Sequence, residues 1–442
     1  MTTQSSVSDV LTEVQLHATL GIATNFILDD NSISHNGTFY GEVTSPYTGR
    51  VWLDRNLGAS KVCASLDDAA CYGDYYQWGR AHDGHQVSTS SDTPTLSNDV
   101  TTVGHGDFIT TTTVPYDWAS VDTNGSTRVS NWFSSDGSSV CPTGFRVPTI
   151  IELQAELLDV GSSEIGNNIE AFNSFLKFPS SGYRSYGSAN FVDLGVRGYI
   201  RTISVIGLNS NSITFDGGSA NSSSSKHAYG LPVRCIKAPT HKHNGTTYGE
   251  VISPYTGKVW LDRNLGAKRV CTSLDDVQCY GDYYQWGRNA DGHEDSASAA
   301  TATLATDVNA AGTDFITNTS YSVDWTSVDA TGATRTANWS KIDGSSVCPT
   351  GFRVPNITEL KAETLDNDVI NRDTAFSNFL KLPSAGVRGY NSGILSGQGL
   401  WGNVWSISSN SFFTPLVLFG DSIAFETTDY RANGLSVRCI KD

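Results

Sequence analysis

The sequence predicts two tandem α+β domains, each a loop-rich body in which two helices sit among small antiparallel sheets. Three observations predict it: a long internal duplication, eight cysteines in two matched sets of four, and two helix starts among short strand-like runs in each copy. The stretch His35 to Arg80 recurs as His243 to Arg288 at an offset of 208, with only eight of forty-six positions differing. Repeats of this length hold enough chain for a core of their own, and the period is far too long for a solenoid. The 442 residues therefore divide into an N-terminal segment over 1–33, a first domain over 34–238 and a second over 239–442.

The N-terminal segment has no counterpart ahead of the second copy, and its apolar pieces, VLTEVQLHATLGIA and TNFILDD, suit attachment to a partner. Within the first copy, TFYGEV and GRVWLDRN read as short strands around the turn SPYTG, where Pro46 and Gly49 take turn-favoured positions. Asp67, Asp68 and Asp74, with Asp275, Asp276 and Asp282, are expected to cap turns, because the DxDxDG spacing of a calcium loop is absent. His85 and His293, each in DGH, read as solvated loop residues, and the polar run from His82 to Pro115 as a surface excursion.

The helices follow GSSVCPTGFRVPT and its twin GSSVCPTGFRVPN. Thr149 with Glu152, and Asn356 with Glu359, have the spacing at which two side chains satisfy two orphan backbone N–H groups at a helix start. Ile150, Leu153 and Leu157 then share a face. A second amphipathic helix carries Phe172, Phe175 and Leu176, or Phe376, Phe379 and Leu380, and is stopped by Pro179 or Pro383. Near each copy's end Leu231, Val233 and Cys235, or Leu435, Val437 and Cys439, alternate as in a strand with one buried face.

Four cysteines per copy allow three pairings, and spacing favours small clips between Cys63 and Cys71 and between Cys271 and Cys279. Cys141 with Cys235 and Cys348 with Cys439 would then each close a loop of roughly a hundred residues, worth on the order of 4 to 5 kcal/mol in the chain-entropy model. Such bridges imply an oxidising, extracellular setting. The opening residues lack both a basic start and a compact apolar stretch, so the chain is expected to reach that setting on a virus particle released by lysis, or after loss of a leader.

The formal charge of -16, with 45 acids against 29 bases, argues against nucleic acid and anionic lipid as partners. No run of eighteen apolar residues is present, so no membrane insertion is expected. No zinc-type CxxC or HExxH spacing, P-loop, GxSxG or paired-carboxylate motif stands out, and an enzyme is not expected. Gly, Ser, Thr and Asn in abundance, with many Tyr and Trp, describe a surface made for contact.

Where the copies disagree is as informative as where they agree. Val205 to Tyr229 and Ser409 to Asn433 match only at Phe215/Phe419, Ala220/Ala424 and Ala228/Ala432, after which GLPVRCIK and GLSVRCIK restore the frame. A scaffold that keeps its frame while one stretch varies follows the logic of a binding module.

VWLDRNLG, CYGDYYQWGR, VCPTGFRVPTxxEL, LPSAGVRGY, WGNVWSIS and GLSVRCIKD stand in the order of the Fibrobacter succinogenes major paralogous domain, which both copies resemble over nearly their whole length. That module is related to the C-type lectin-like fold and to the variable proteins diversified by retroelements. The resemblance implies a disulfide-closed body whose last stretch before the final cysteine presents variable side chains. In the second copy these are Trp401, Asn403, Trp405, Ser408, Asn410, Phe412, Phe413 and Tyr430; in the first, Arg197, Tyr199, Arg201, Ser204, Asn209 and Asn211. Arg201 stands where Trp405 does, and a charge is rarely tolerated in an apolar core, which puts that position at the surface. The sugar-binding calcium triplets of the lectins are missing, so no cofactor is expected beyond, at most, a structural calcium ion. The related formylglycine-generating enzymes need reactive thiols near the domain end, whereas Cys235 and Cys439 have upstream partners.

The expected function is binding: a receptor-binding or adhesive protein on a phage tail, virion or bacterial surface, holding a cell-surface glycan or protein ligand and attached through its N-terminal segment. The alternative is a structural subunit, a virion decoration, fibre or extracellular filament component.

Overall fold

A computed structural model describes residues 32–159, 164–320, 323–409 and 413–442. The attachment role expected for residues 1–33 falls almost wholly outside them.

Each copy ties its beginning to its end. Glu42–Thr44, Val51–Leu53, Ile236–Lys237 and Phe145–Arg146 form one four-stranded sheet in that order, with Trp52 opposite Ile236. A second sheet runs Phe191–Val192, Tyr183–Arg184, Gly230–Leu231, Tyr76–Gln77, and the second copy repeats both orders. A third sheet in the first copy joins β1 (Gly198–Ile206), β2 (Asn209–Phe215) and β3 (Ala220–Ser225); its equivalent joins β4 (Gly402–Trp405), β5 (Phe413–Phe419) and β6 (Ala424–Tyr430). The result is mixed and strand-rich, and among the described residues the strands of its small sheets pair antiparallel except for one short parallel pair per copy.

Among the described residues three α-helices are found per copy where two were expected: α1 (Ser126–Phe133), α2 (Ile150–Leu157) and α3 (Asn168–Asn173), then α4 (Ala333–Trp339), α5 (Ile357–Glu363) and α6 (Arg372–Ser377). The capping boxes form as read, Thr149 with Glu152 and Asn356 with Glu359. The unexpected α1 and α4 begin at Gly125 and Gly332 without a side-chain cap, in sequence poor in helix formers. Tertiary contact supplies what propensity lacks. Arg128 is buried against Asp117 at 2.7 Å and Asp122 at 3.0 Å, and Arg335 repeats this with Asp324 and Asp329. The α3 and α6 helices stop before Phe175 and Phe379, earlier than the prolines require.

All eight cysteines are bridged in the pairing that spacing favours, Cys63–Cys71, Cys141–Cys235, Cys271–Cys279 and Cys348–Cys439. Around the long bridges lie cores built on tryptophan, with Trp52, Trp78, Trp118 and Trp132 matched by Trp260, Trp286, Trp325 and Trp339, all fully buried. Two sets of buried polar groups are duplicated as well. Arg234 donates to Asn56 and to the Leu53 and Leu176 carbonyls, and Arg438 donates to Asn264, Leu261 and Leu380 in the same way. Glu156 accepts from Ser45, Thr48 and Trp52, as Glu363 does from Ser253, Thr256 and Trp260. Leaving such a group unpaired costs about 1 to 3 kcal/mol or more, so these sets hold the frame in one arrangement.

Three local readings change. The run from His82 to Pro115 is not a surface excursion throughout, because Val100 and Ile109 are buried with Trp118 and Ala228, and Phe108 is buried beneath Arg184. The alternating pattern at the domain end is not one strand: Gly230–Leu231 and Ile236–Lys237 belong to different sheets, and Pro232 and Arg234 between them are as buried as Val233. Proline cannot donate to a ladder, and Arg234 is buried because its guanidinium finds carbonyl partners. His85 and His293 are fully buried, not solvated; each ring accepts from a backbone N–H, of Gln77 or Gln285, and faces Asp83 or Asp291. Burial lowers His85 to a pKa of about 4, against the pull of Asp83.

The copies touch. Ile252, whose counterpart Thr44 is exposed, packs against the core of the first copy.

Candidate functional site

The third sheet of each copy contains the stretch in which the copies diverge. Its strands pair in equivalent registers, Gly198 opposite Phe215 and Gly402 opposite Phe419, and both inner glycines lie against the phenylalanine ring, where a Cβ would come within 1.8 or 2.2 Å of it. Ile200, Ile213 and Phe215, or Val404, Val417 and Phe419, turn inward. The copies differ on both faces: Arg201, Ser210 and Ser212 against Trp405, Thr414 and Leu416 are buried, and the accessible differences lie on β3, β6 and the rims.

In the first copy the rim holds an ion network. The Arg197 guanidinium lies 3.0 Å from Asp216 and 3.7 Å from Asp193, and the Tyr199 hydroxyl donates to Asp193 at 3.1 Å. Side chains are 43% exposed at Arg197, 31% at Asp193 and 29% at Asp216, so water reaches all three. The other Asp216 oxygen is held by the Gly218 and Ser219 N–H groups, which keep its carboxyl below the usual range. Beside the network runs a ladder of half-buried tyrosines. Tyr199 meets Tyr183 at 5.1 Å, Tyr183 meets Tyr229 at 4.9 Å, Tyr229 meets Tyr186 at 4.8 Å and Tyr186 meets Tyr116 at 4.9 Å, with the Lys226 ammonium 5.2 Å from the last ring. Burial pushes Tyr199 and Tyr229 up to about 12, so both phenols are neutral donors at ordinary pH.

In the second copy Gly397, Trp401 and Gly420 stand where Asp193, Arg197 and Asp216 do. Trp401 lies on Gly397, where a Cβ would come 1.8 Å from its indole nitrogen, and remains 44% exposed. Leu400, Ile423, Phe413 and Phe425 are exposed on the same sheet and its turns. Tyr430 bridges Tyr390 at 5.0 Å and Phe413 at 5.4 Å. One face is polar and phenolic, the other apolar.

The structure sorts the residues expected at the surface. Trp401, Phe413, Tyr430, Arg197, Tyr199, Asn209 and Asn211 are exposed or half-buried; Asn410 and Phe412 lie outside the described residues. Trp405 and Arg201 are fully buried and Asn403 is 6% exposed, a correction for all three. Trp405 donates to the Tyr284 carbonyl inside the main core. Arg201 occupies the same place because its guanidinium meets Ser210 and the Lys226 and Tyr229 carbonyls; burial lowers it to about 9. Ser204 and Ser408 are half-buried, and each hydroxyl accepts from the first N–H of a helix, of Ile150 or Ile357.

The remaining clusters serve the frame. Asp68 and Asp276 cap short 3-10 turns as expected. Asp74 and Asp282 do not; burial raises them to about 6 and about 7. Asp74 borders a cavity of about 20 Å³ with His35, Tyr40, Tyr76 and His82, room for one water molecule. Among the described residues Asp291, His293 and Glu294 come close enough together to suggest a cation, but both ring nitrogens of His293 are already engaged within the protein.

The tyrosine ladder escaped the sequence reading because its members come from four separate segments; the signal available was the concentration of tyrosine at 183, 186, 199 and 229. Compared with family models, curated proteins and solved structures, the chain matches none.

Proposed function

We propose that the chain is a non-enzymatic extracellular binding protein, receptor-binding or adhesive, on a phage tail, virion or bacterial surface. Two domains of C-type lectin-like type would meet a glycan or protein ligand through the faces of β1–β3 and β4–β6. The observation that carries this reading is the contrast between a frame repeated to its buried hydrogen bonds and a rim exchanged as a set, Asp193, Arg197 and Asp216 for Gly397, Trp401 and Gly420. Solvent-exposed tryptophan, tyrosine and arginine are the residues most often found as binding anchors. Four disulfides fit an oxidising setting, and no helix among the described residues is long and apolar enough to cross a membrane. Every cysteine is bridged, which leaves no thiol for the chemistry of the related enzymes. Two linked heads would add avidity even where each binds weakly.

The test is attachment of the full chain to target cells. Trp401→Ala with Phe413→Ala, and Arg197→Ala with Tyr199→Ala, should each weaken attachment about tenfold or more while thermal unfolding stays cooperative. Attachment unaffected by either pair contradicts binding through these faces. The exposed apolar group of Trp401, Leu400 and Ile423 also suits the second reading, a structural subunit of a virion or filament. There the same substitutions would leave attachment intact and disrupt assembly, seen by electron microscopy.

A further inference from the structure

The rim of the first copy combines features that select among ligand chemistries. One guanidinium is shared between two carboxylates, so the cluster carries one formal negative charge and disfavours a carboxylate or phosphate ligand. Arg197 at its centre equally disfavours a cation. What suits alternating donors and acceptors is a group able to do both at once, and a hydroxyl is one. Arg197 has five N–H groups, of which Tyr199 and Asp216 take two, and Asp193 accepts from Tyr199 through only one of its oxygens. Donors and acceptors thus remain within a few ångströms of each other and open to water. The network is set before any ligand arrives, since Asp216 is fixed by backbone N–H groups, and pre-set polar groups lose less freedom on binding. Tyr199, Tyr183 and Tyr229, packed edge to face, supply an apolar wall beside it for the C–H side of a ring.

Building on the proposed binding role, we infer that the first copy recognises a neutral carbohydrate, with Asp193, Arg197 and Asp216 bridging neighbouring hydroxyls and the Tyr199 end of the tyrosine ladder receiving the ring, without a metal ion. The second copy lacks every polar member of this set and does not share the specificity.

The experiment uses the full chain on immobilised gluco-, manno- and galacto-oligosaccharides and on uronic-acid oligosaccharides, in buffer containing EDTA. At least one neutral series should retain it and the uronic series should not. Asp193→Gly with Arg197→Trp and Asp216→Gly, which installs residues the second copy already uses, should reduce retention at least tenfold with an unchanged circular dichroism spectrum. A second variant, Asp216→Asn, keeps the shape of the rim and should also weaken retention. Failure of every neutral series, retention on the uronic series alone, or full retention by the triple variant overturns the inference. Cell attachment separates this from the wider reading. If the triple variant loses attachment and protease rather than periodate, which cleaves vicinal diols, strips the target from cells, the ligand is a protein: the carbohydrate inference falls and the binding role stands. If neither face affects attachment, both fall.

Discussion

The first and second copies solve one problem with two sets of side chains. On the rim, three half-buried residues change together, from two carboxylates around a guanidinium to a tryptophan laid on glycine. Beneath the sheet, two buried residues change together. The first copy has Arg201 on β1 and His227, whose ring stacks on Trp78 at 4.2 Å and bonds Asp117 at 2.8 Å. The second has Trp405 on β4 and Arg431, whose guanidinium lies 4.7 Å from Trp286 and 3.4 Å from Asp324. Each copy thus keeps one extra buried guanidinium, in the first on strand β1 and in the second on the turn that follows β6. An uncompensated charge inside is costly, so the buried charge changes together with its neighbour, while uncharged buried positions such as Ser212 and Leu416 also differ; the rim varies as a set of contacts.

The largest difference between the copies should follow from cutting the frame of one of them. Cys141→Ala with Cys235→Ala opens a closure of 94 residues and should lower the stability of the first copy by about 4 to 5 kcal/mol, read by chemical denaturation as one early transition. The second copy, keeping Cys348–Cys439, should unfold later.

Next is the buried exchange. Trp405→Arg alone places a second guanidinium beside Arg431 and should cost about 3 to 5 kcal/mol. Adding Arg431→His, which recreates the pair of the first copy, should recover at least half. A cycle with no coupling would mean that the two positions vary independently.

This exchange marks the limit of what was legible in the sequence. The duplication, the cysteine pairing and the capping boxes were readable because each is a local or repeated signal: Thr149 and Glu152 are three residues apart, and matched cysteines constrain each other. Arg201 was misplaced because a buried guanidinium is paid for by the Lys226 and Tyr229 carbonyls, and carbonyls leave no mark in sequence. His85 was misplaced for the same reason, its partner being the Gln77 N–H. The tyrosine ladder is a product of folding alone.

A smaller effect distinguishes the copies by pH. Burial, then Glu294 and Asp295, hold Asp282 at about 7, while in the first copy Gln86 and Val87 stand at those places and Asp74 reaches about 6. A folded carboxyl that keeps its proton while the unfolded one ionises near 3.8 makes stability fall as pH rises from about 4 to 7, and the loss persists above that. Asp282→Asn should flatten this slope and stabilise the second copy at pH 8 by about 2 kcal/mol, the shift being partly screened by water. Asp74→Asn should do less. A larger gain from Asp74→Asn would reverse the assignment.

The smallest effect belongs to the rim. Arg197→Ala and Trp401→Ala should each change unfolding free energy by no more than about 0.5 kcal/mol, as expected of exposed side chains outside the frame.

The most direct measurement is thermal unfolding of a grafted chain carrying Asp193→Gly, Arg197→Trp, Tyr199→Asn and Asp216→Gly, the rim of the second copy on the body of the first. A frame indifferent to its rim predicts cooperative unfolding of the first copy with the midpoint moved by no more than about 4 °C. A first copy that no longer unfolds cooperatively, or melts far earlier, would show that rim and frame are one structure, contradicting the separation on which this account of binding rests.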